Sequence, residues 1–434
     1  MKKLNILAVG VSGLAMSIAP VPSGAASMAD GQSAAVPAAA AVASFYDTYR
    51  SQPIWFRHGA DAAAIAQLTA ILQRAPFDGL AEGPQLAAQV QAAAAQAASG
   101  KAEDIANAER VLSSAWVQYV QTVKRPTTGM IYAYAVLQPQ GGRPDQILLT
   151  TAAAPSLAAY LASTSDVNAI YKQLRDTAWA QAQATGNLTP DPRLLANLDR
   201  VRSLPAKGRF LLVDSGNSML TLYQDGQVVD SMKVITGTDE LPTPLIASYM
   251  YYITYNPYWH APDHLVRKTI APNFLSMGMK YLKSHGYNVI EDWSETPTVI
   301  DPTKVDWKGA AAGKVHLKIQ QDPGPLNSMG ILKFPFPNPQ DIYLHDTPDH
   351  AKFKLANRNL SNGCVRVEDA KRLGTWLLGH EPVSPGSTPE TRVQLPRATP
   401  IFLTYITAQV RDGTLTYLPD IYGWDRQAPQ FASN

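Results

Sequence analysis

Phe210-Leu211-Leu212-Val213, then Ser215-Gly216-Asn217, then Met219-Leu220-Thr221-Leu222-Tyr223 is where this 434-residue chain changes character. Two short apolar runs on either side of a Ser-Gly-Asn turn predict a β-hairpin. Gln224-Asp225-Gly226-Gln227 makes a second turn into Val228-Val229 and the run from Met232 to Ile235, so the hairpin is expected to extend into a meander. Far downstream, Ile401-Phe402-Leu403-Thr404-Tyr405 and the stretch 414–417 predict two more strands, and 368–378 reads as a helix. Residues 206–425 are therefore expected to form a mainly β domain with helices attached, followed by a short tail over 426–434.

Upstream of Pro205 the pattern is different. From Ser44 the chain is rich in Ala and Gln, and Ile65, Leu68, Ile71 and Leu72 recur at helical intervals, as do Val111, Leu112, Ala115, Trp116, Tyr119 and Val120. Residues 44–205 are expected to be an all-helical domain, so the fold class is α+β. The aromatic group Phe45, Tyr46, Tyr49, Trp55 and Phe56 is expected to pack between helices.

The chain opens Met1-Lys2-Lys3, runs through apolar residues from Leu4 to about Ala19, and reaches the small residues Gly24-Ala25-Ala26. These are the charged, apolar and cleavage regions of a secretory signal over 1–26. Residues 27–43, made of Ala, Ser, Gly and Pro, read as a flexible tether. No other stretch approaches the roughly 20 apolar residues of a membrane span, and the signal holds no cysteine for a lipid. The mature protein is expected to be soluble, in the periplasm. A net charge of +2 with 17% charged residues excludes the basic stripe of a nucleic-acid binder.

Between Pro257 and Pro337 lies a Pro- and Gly-rich segment with some helix, expected to be a lid over a binding site. His260, His264, His285 and His316 fall inside it and are expected to be structural, whereas Trp259 is expected to line the cleft.

The single cysteine, Cys364, stands in Ser361-Asn362-Gly363-Cys364-Val365-Arg366, nineteen positions after the histidine of Tyr343-Leu344-His345-Asp346-Thr347. A solitary thiol cannot staple its own chain, so in an exported protein it is either an inert small hydrophobe or a reactive group. A cysteine nucleophile needs an imidazole to take its proton and amides to hold the oxyanion that forms on attack at a carbonyl. A strand ending Ile342-Tyr343-Leu344 is expected to deliver His345, and a Gly-containing turn to deliver Cys364 just ahead of a helix. Gly363 permits an unusual backbone angle, and amides around Gly363 and Cys364 are expected to face the carbonyl oxygen.

His345-Asp346-Thr347-Pro348 followed by Ser361-Asn362-Gly363-Cys364-Val365-Arg366-Val367 resembles the signature of the L,D-transpeptidases of the YkuD type. Asn256-Pro257-Tyr258-Trp259, the run Gln321 to Asn327 leading to Gly330 and Lys333-Phe334, and Asp420-Ile421-Tyr422-Gly423 extend the resemblance. It is similar to the larger periplasmic branch, in which a helical scaffold domain precedes the catalytic one. The resemblance implies that the partners are peptidoglycan stem peptides. Cys364 is the implied nucleophile and His345 the general base; Ser361, Asn362 and Gly363 shape the oxyanion pocket, Arg366 orients the loop or meets a substrate carboxylate, and Tyr343 and Trp259 border the substrate. The cysteine would attack the carbonyl on the L-centre side of an L,D bond, expel the D-amino acid, and pass the thioester to an amine, giving 3-3 crosslinks or 1-3 crosslinks. Asn362 departs from the histidine usual there and cannot titrate near neutral pH. Water as acceptor would give an L,D-carboxypeptidase or cysteine endopeptidase, and an inert wall-binding scaffold protein is the third possibility. No HExxH or comparable spacing appears, so neither metal nor cofactor is expected.

Overall fold

A computed structural model describes residues 38–49, 53–294 and 296–426; the expected signal sequence and most of the tether lie outside them. The first helix, Ala38–Tyr49, begins inside the stretch read as a tether. Alanine is the best helix former, and Val42 and Phe45, one turn apart, are buried on one face. Helices Ala62–Arg74, Gly83–Ala97, Ala102–Val123, Pro144–Ala152 and Leu157–Asp166 complete a bundle around Leu68, Leu72, Leu112, Trp116 and Leu161. Its polar keystone is the buried Glu109, whose carboxylate accepts the amides of Ile54, Trp55 and Phe56 at 2.9–3.0 Å and the Tyr46 hydroxyl at 2.8 Å. Trp55 and Phe45 are core residues, as their spacing predicts.

The strands are β1 (Ile131–Tyr132), β2 (Arg209–Asp214), β3 (Met219–Gln224), β4 (Gln227–Gly237) and β5 (Ile246–Tyr255), then β6 (Trp259–His260), β7 (Tyr287–Ile290), β8 (Val299–Ile300) and β9 (Lys318–Gln321). They continue as β10 (Leu332–Pro335), β11 (Tyr343–His345), β12 (Asn359–Ser361), β13 (Val365–Val367), β14 (Thr391–Thr404), β15 (Ala408–Arg411) and β16 (Thr414–Tyr417). The main sheet runs β5-β10-β11-β13-β4-β3-β2-β14, and β14 pairs again with β5, so these strands close into a ring, with β1 added on β5 and β12 on β4. The β2–β3–β4 meander is the one read from the sequence.

Alternation along these strands fixes two cores. Leu211, Val213, Leu344, Val365 and Leu403 point inward with Leu373 and Leu377 of helix Ala370–Leu378. Phe210, Leu212 and Phe402 point outward onto helices Ala169–Thr185 and Pro192–Val201, against Tyr171, Leu174 and Leu198. The two halves thus share a core across the seam near Pro205. A buried ion pair between Arg200 and Asp425, with Asn197 and Thr407 hydrogen-bonded to the same carboxylate, ties the end of the described chain to this seam.

Most of the segment expected to be a lid is a small folded unit of strands and short helices. Strands order as β6-β9-β7-β8, and the segments Asp263–Leu265, Ala271–Met277, Met279–His285 and Trp307–Ala311 pack with them around Val266, Tyr281, Val289, Trp307 and Ile319. It ends before Leu332, because β10 belongs to the main sheet. Among the described residues no helix is long and apolar enough to cross a membrane.

Candidate active site

β11 and β13 run parallel with Leu344 opposite Val365 and His345 opposite Arg366. Leu344 and Val365 are fully buried in the inner core, so alternation sends Tyr343, His345 and Arg366 to the other face. One step back in the same register, Cys364 lies beside Tyr343. The sequence-derived residues separated by some twenty positions are thereby gathered on two adjacent strands.

The turn into β13 is built by Ser361, whose hydroxyl accepts the Gly363 amide at 3.2 Å and donates to the Cys364 carbonyl at 2.6 Å. Gly363 has φ +109, and a Cβ there would stand 3.2 Å from Ile342 Cδ1, so the position suits glycine alone. Its carbonyl accepts from Thr243 Oγ1 at 2.7 Å, and Thr243 Oγ1 in turn accepts the Gly237 amide at 2.9 Å. Tyr422 donates to the Gly237 carbonyl at 2.7 Å. The Gly363 amide expected to face an oxyanion is therefore already engaged by Ser361.

Cys364 is partly exposed on the floor of a cleft of about 890 Å³. Its thiol donates to the Asp341 carbonyl at 3.7 Å, a carbonyl presented by a non-glycine residue at φ +51. Burial pushes the thiol pKa up, partly offset by hydrogen bonds from the amide and hydroxyl of Tyr343 and by the charge of Lys333. The resting sulfur is a protonated thiol.

His345 is 6% exposed. Its Nδ1 contacts the Asp346 carbonyl at 2.6 Å; a carbonyl only accepts, so Nδ1 carries the proton and Nε2 keeps its lone pair. Burial, then the charges of Arg366 and Lys333, bring its pKa down to about 3. The imidazole is neutral, with Nε2 unprotonated. A direct imidazole–sulfur hydrogen bond is not among those formed by the described residues; such bonds are often loose before substrate arrives.

Asp346 is itself fixed. Its amide donates to the Leu332 carbonyl at 2.9 Å, and its Oδ2 accepts the Ile331 amide at 3.0 Å. Gly330 leaves the space: a Cβ there would fall 2.4 Å from Asp346 Cγ, and its φ is +61. Gly330→Ala is expected to displace Asp346 and with it the carbonyl that orients His345. Turnover should fall roughly 10- to 100-fold, and stability by about 2 kcal/mol in urea unfolding.

Arg366 is mostly enclosed, with Nε lacking a hydrogen-bond partner, and its charge acts on His345. Asn362 lines the cleft. Trp259 does not: it packs into the lid's core 6.2 Å from the Tyr287 ring, while its neighbour His260 turns into the cleft beside Trp293, rings 4.6 Å apart. Asp341, Thr243 and Trp293 are site residues that the sequence did not reveal, since none sits in a motif and each is brought in by a loop. Among the described residues no cluster of three or more His, Cys, Asp or Glu could hold a metal.

Residues 208–395 match the family model described as the L,D-transpeptidase catalytic domain, YkuD, and residues 40–177 match a scaffold domain. A putative L,D-transpeptidase of Haemophilus influenzae (strain ATCC 51907 / DSM 11121 / KW20 / Rd) is 28% identical over 397 residues, 89% of this chain and 78% of its own. Two solved structures are also similar. The Ldtfm–avibactam carbamoyl enzyme is 13% identical with TM-score 0.23, over 45% of this chain and 49% of its own. A cysteine-to-serine mutant of an Enterococcus faecium L,D-transpeptidase is 11% identical with TM-score 0.21, over 45% of this chain and 50% of its own. The chain thus spans about half the length of each solved relative.

Proposed function

The chain carries a YkuD L,D-transpeptidase catalytic domain behind an N-terminal scaffold domain, and from that premise we propose that it crosslinks peptidoglycan stem peptides through a thioester on Cys364. The observation that carries this reading is a partly exposed thiol at the base of a cleft, on the strand neighbouring a neutral imidazole whose Nδ1 is anchored.

In this reaction Nε2 of His345 takes the thiol proton as Sγ adds to the carbonyl on the L-centre side of the scissile bond. The oxyanion then collapses, the C–N bond breaks, and the imidazolium returns its proton to the departing D-amino acid amine. An acceptor amine attacks the thioester, gives its proton to Nε2, and releases the sulfur, which is reprotonated. Tyr343, whose own ionisation burial pushes well up, stays a protonated donor at the sulfur and is the side chain best placed to assist the oxyanion. The cleaved peptide bond supplies the driving force, so no nucleotide is consumed. The protein is proposed to act in the periplasm after removal of 1–26, forming 3-3 crosslinks, with 1-3 crosslinks the variant in which the bond after the first L-residue enters the cleft.

Incubation of the purified chain with a tetrapeptide stem and analysis of products by mass tests the proposal. Crosslinked dimers are expected; tripeptide alone would instead mean transfer to water, and no change would mean an inert scaffold.

The acid–base state of the site gives a second expectation. A base that titrates near 3 remains unprotonated throughout pH 4.5–8, and a thiol with a raised pKa is not ionised in that range. Single-turnover acylation should therefore show no acidic inflection near pH 6.5 and should climb only where the thiol ionises. An acidic limb centred at 6–7 would mean a resting thiolate–imidazolium pair instead.

A further inference from the structure

We infer that Lys333 selects the donor, by holding the terminal carboxylate of the D-amino acid that leaves. This rests on the transfer reaction proposed above. Lys333 lies in β10, directly opposite His345 of β11. Its neighbours Leu332 and Phe334 are 1% and 0% exposed, so alternation turns Lys333 away from the inner core and into the cleft it lines together with Cys364. Its Nζ stands 4.8 Å from the centroid of the Tyr343 ring, and Tyr343 is the residue beside the thiol.

A half-buried ammonium on an aromatic face retains only part of its hydration. Among the described residues no carboxylate lies within ion-pair distance of Lys333, and one of the two acids lining the cleft, Asp263, is engaged by His316 Nδ1 at 2.8 Å. The ammonium's field nonetheless reaches both the sulfur and the imidazole. A substrate is the missing counter-ion. In a donor whose scissile carbonyl sits at Sγ, the carboxylate carbon of the leaving residue is three bonds from the attacked carbon, within about 5 Å of it. A reach that short would bring the carboxylate to an ammonium that stands over the Tyr343 ring and whose charge acts on the sulfur. Recognition of a free carboxylate there would favour leaving residues that carry one and disfavour a residue whose α-carboxyl is tied up as an amide.

The experiment compares two donors that differ only at the C-terminus, free carboxylate against carboxamide, and reads acylation of the full chain as release of the D-amino acid or its amide. Wild type is expected to prefer the carboxylate roughly 10- to 100-fold in kcat/KM, the scale of a charge-assisted hydrogen bond. Lys333→Met should bring that ratio close to one, and Lys333→Arg should keep most of it. The ratio is insensitive to any effect of Lys333 on the thiol, which acts equally on both donors. Retention of the ratio in Lys333→Met overturns the assignment. Equal use of both donors by wild type overturns it without any variant, so misfolding of Lys333→Met cannot shelter it. Reaction with neither donor overturns both the assignment and the transfer reaction, whereas equal reaction with both overturns the assignment alone.

Discussion

Cys364→Ser is expected to lower product formation from a tetrapeptide donor by roughly 10^4-fold or more, to the background of the assay. The sulfur lines the cleft, and the strand that follows it neighbours the strand of His345. A serine hydroxyl in the same place is a far weaker acid than a thiol, and a neutral imidazole with a depressed pKa is a poor base for it. The fold should be untouched, because a serine hydroxyl is close in size to the thiol and can keep its contacts with the Asp341 carbonyl and with Tyr343, while the turn is held by Ser361, Gly363 and Thr243. Unfolding midpoints of the two proteins are expected to agree while liquid chromatography of products separates them. Comparable turnover by the serine variant would remove Cys364 from the chemistry.

His345→Gln is the second large effect, a loss of roughly 10^2- to 10^4-fold in acylation. The amide can still reach the Asp346 carbonyl but cannot accept the thiol proton. The residual rate of the variant should therefore rise tenfold per pH unit until the thiol ionises, where the wild type is nearly level. Stability supplies an independent readout. In the unfolded chain this imidazole titrates near 6.5, and in the folded chain near 3. Between those values the unfolded state binds the extra proton, so the contribution of the neutral buried imidazole is complete above about pH 6.5 and is lost as pH falls toward 3. The variant should show a flatter fall in unfolding free energy over that window. A variant with both full activity and an unchanged acid dependence would contradict the assignment of His345.

The meander at Phe210 to Ile235 was legible because its apolar runs are separated by Gly-containing turns, and its pairing follows those turns in order. That the His345 and Cys364 segments share a site rested on the motifs and the resemblance, and the pairing of His345 with Arg366 was not foreseen; the parallel register of β11 and β13 sets the two segments side by side. Other parts could not be read locally. β14 was visible only from Ile401, because Pro396 and Pro400 interrupt its pattern, and its register with β5 breaks between Gln394 and Thr399. β1 is two residues long and lies within the helical half, so only its parallel pairing with β5 defines it. The lid strands are two to four residues long and pair across tens of residues, as Tyr287 with Gln321 does. That is why no strand was expected in this segment, and why Trp259 was expected in the cleft: in a two-residue strand the face each side chain takes depends on a partner the local sequence does not name. The rest of the site, Asp341, Thr243 and the Gly330–Asp346 contact, depends on loop geometry set by distant neighbours.

The claim beneath all of this is that the thiol of Cys364 carries the donor peptide covalently. Intact-mass measurement of the purified chain mixed with a tetrapeptide donor, in the absence of acceptor, tests it most directly. One adduct is expected, heavier than the free chain by the mass of the donor less that of the released D-amino acid, mapped to Cys364 and discharged by an added amine. Dimer formation without any adduct, or an adduct mapped to another residue, would contradict it.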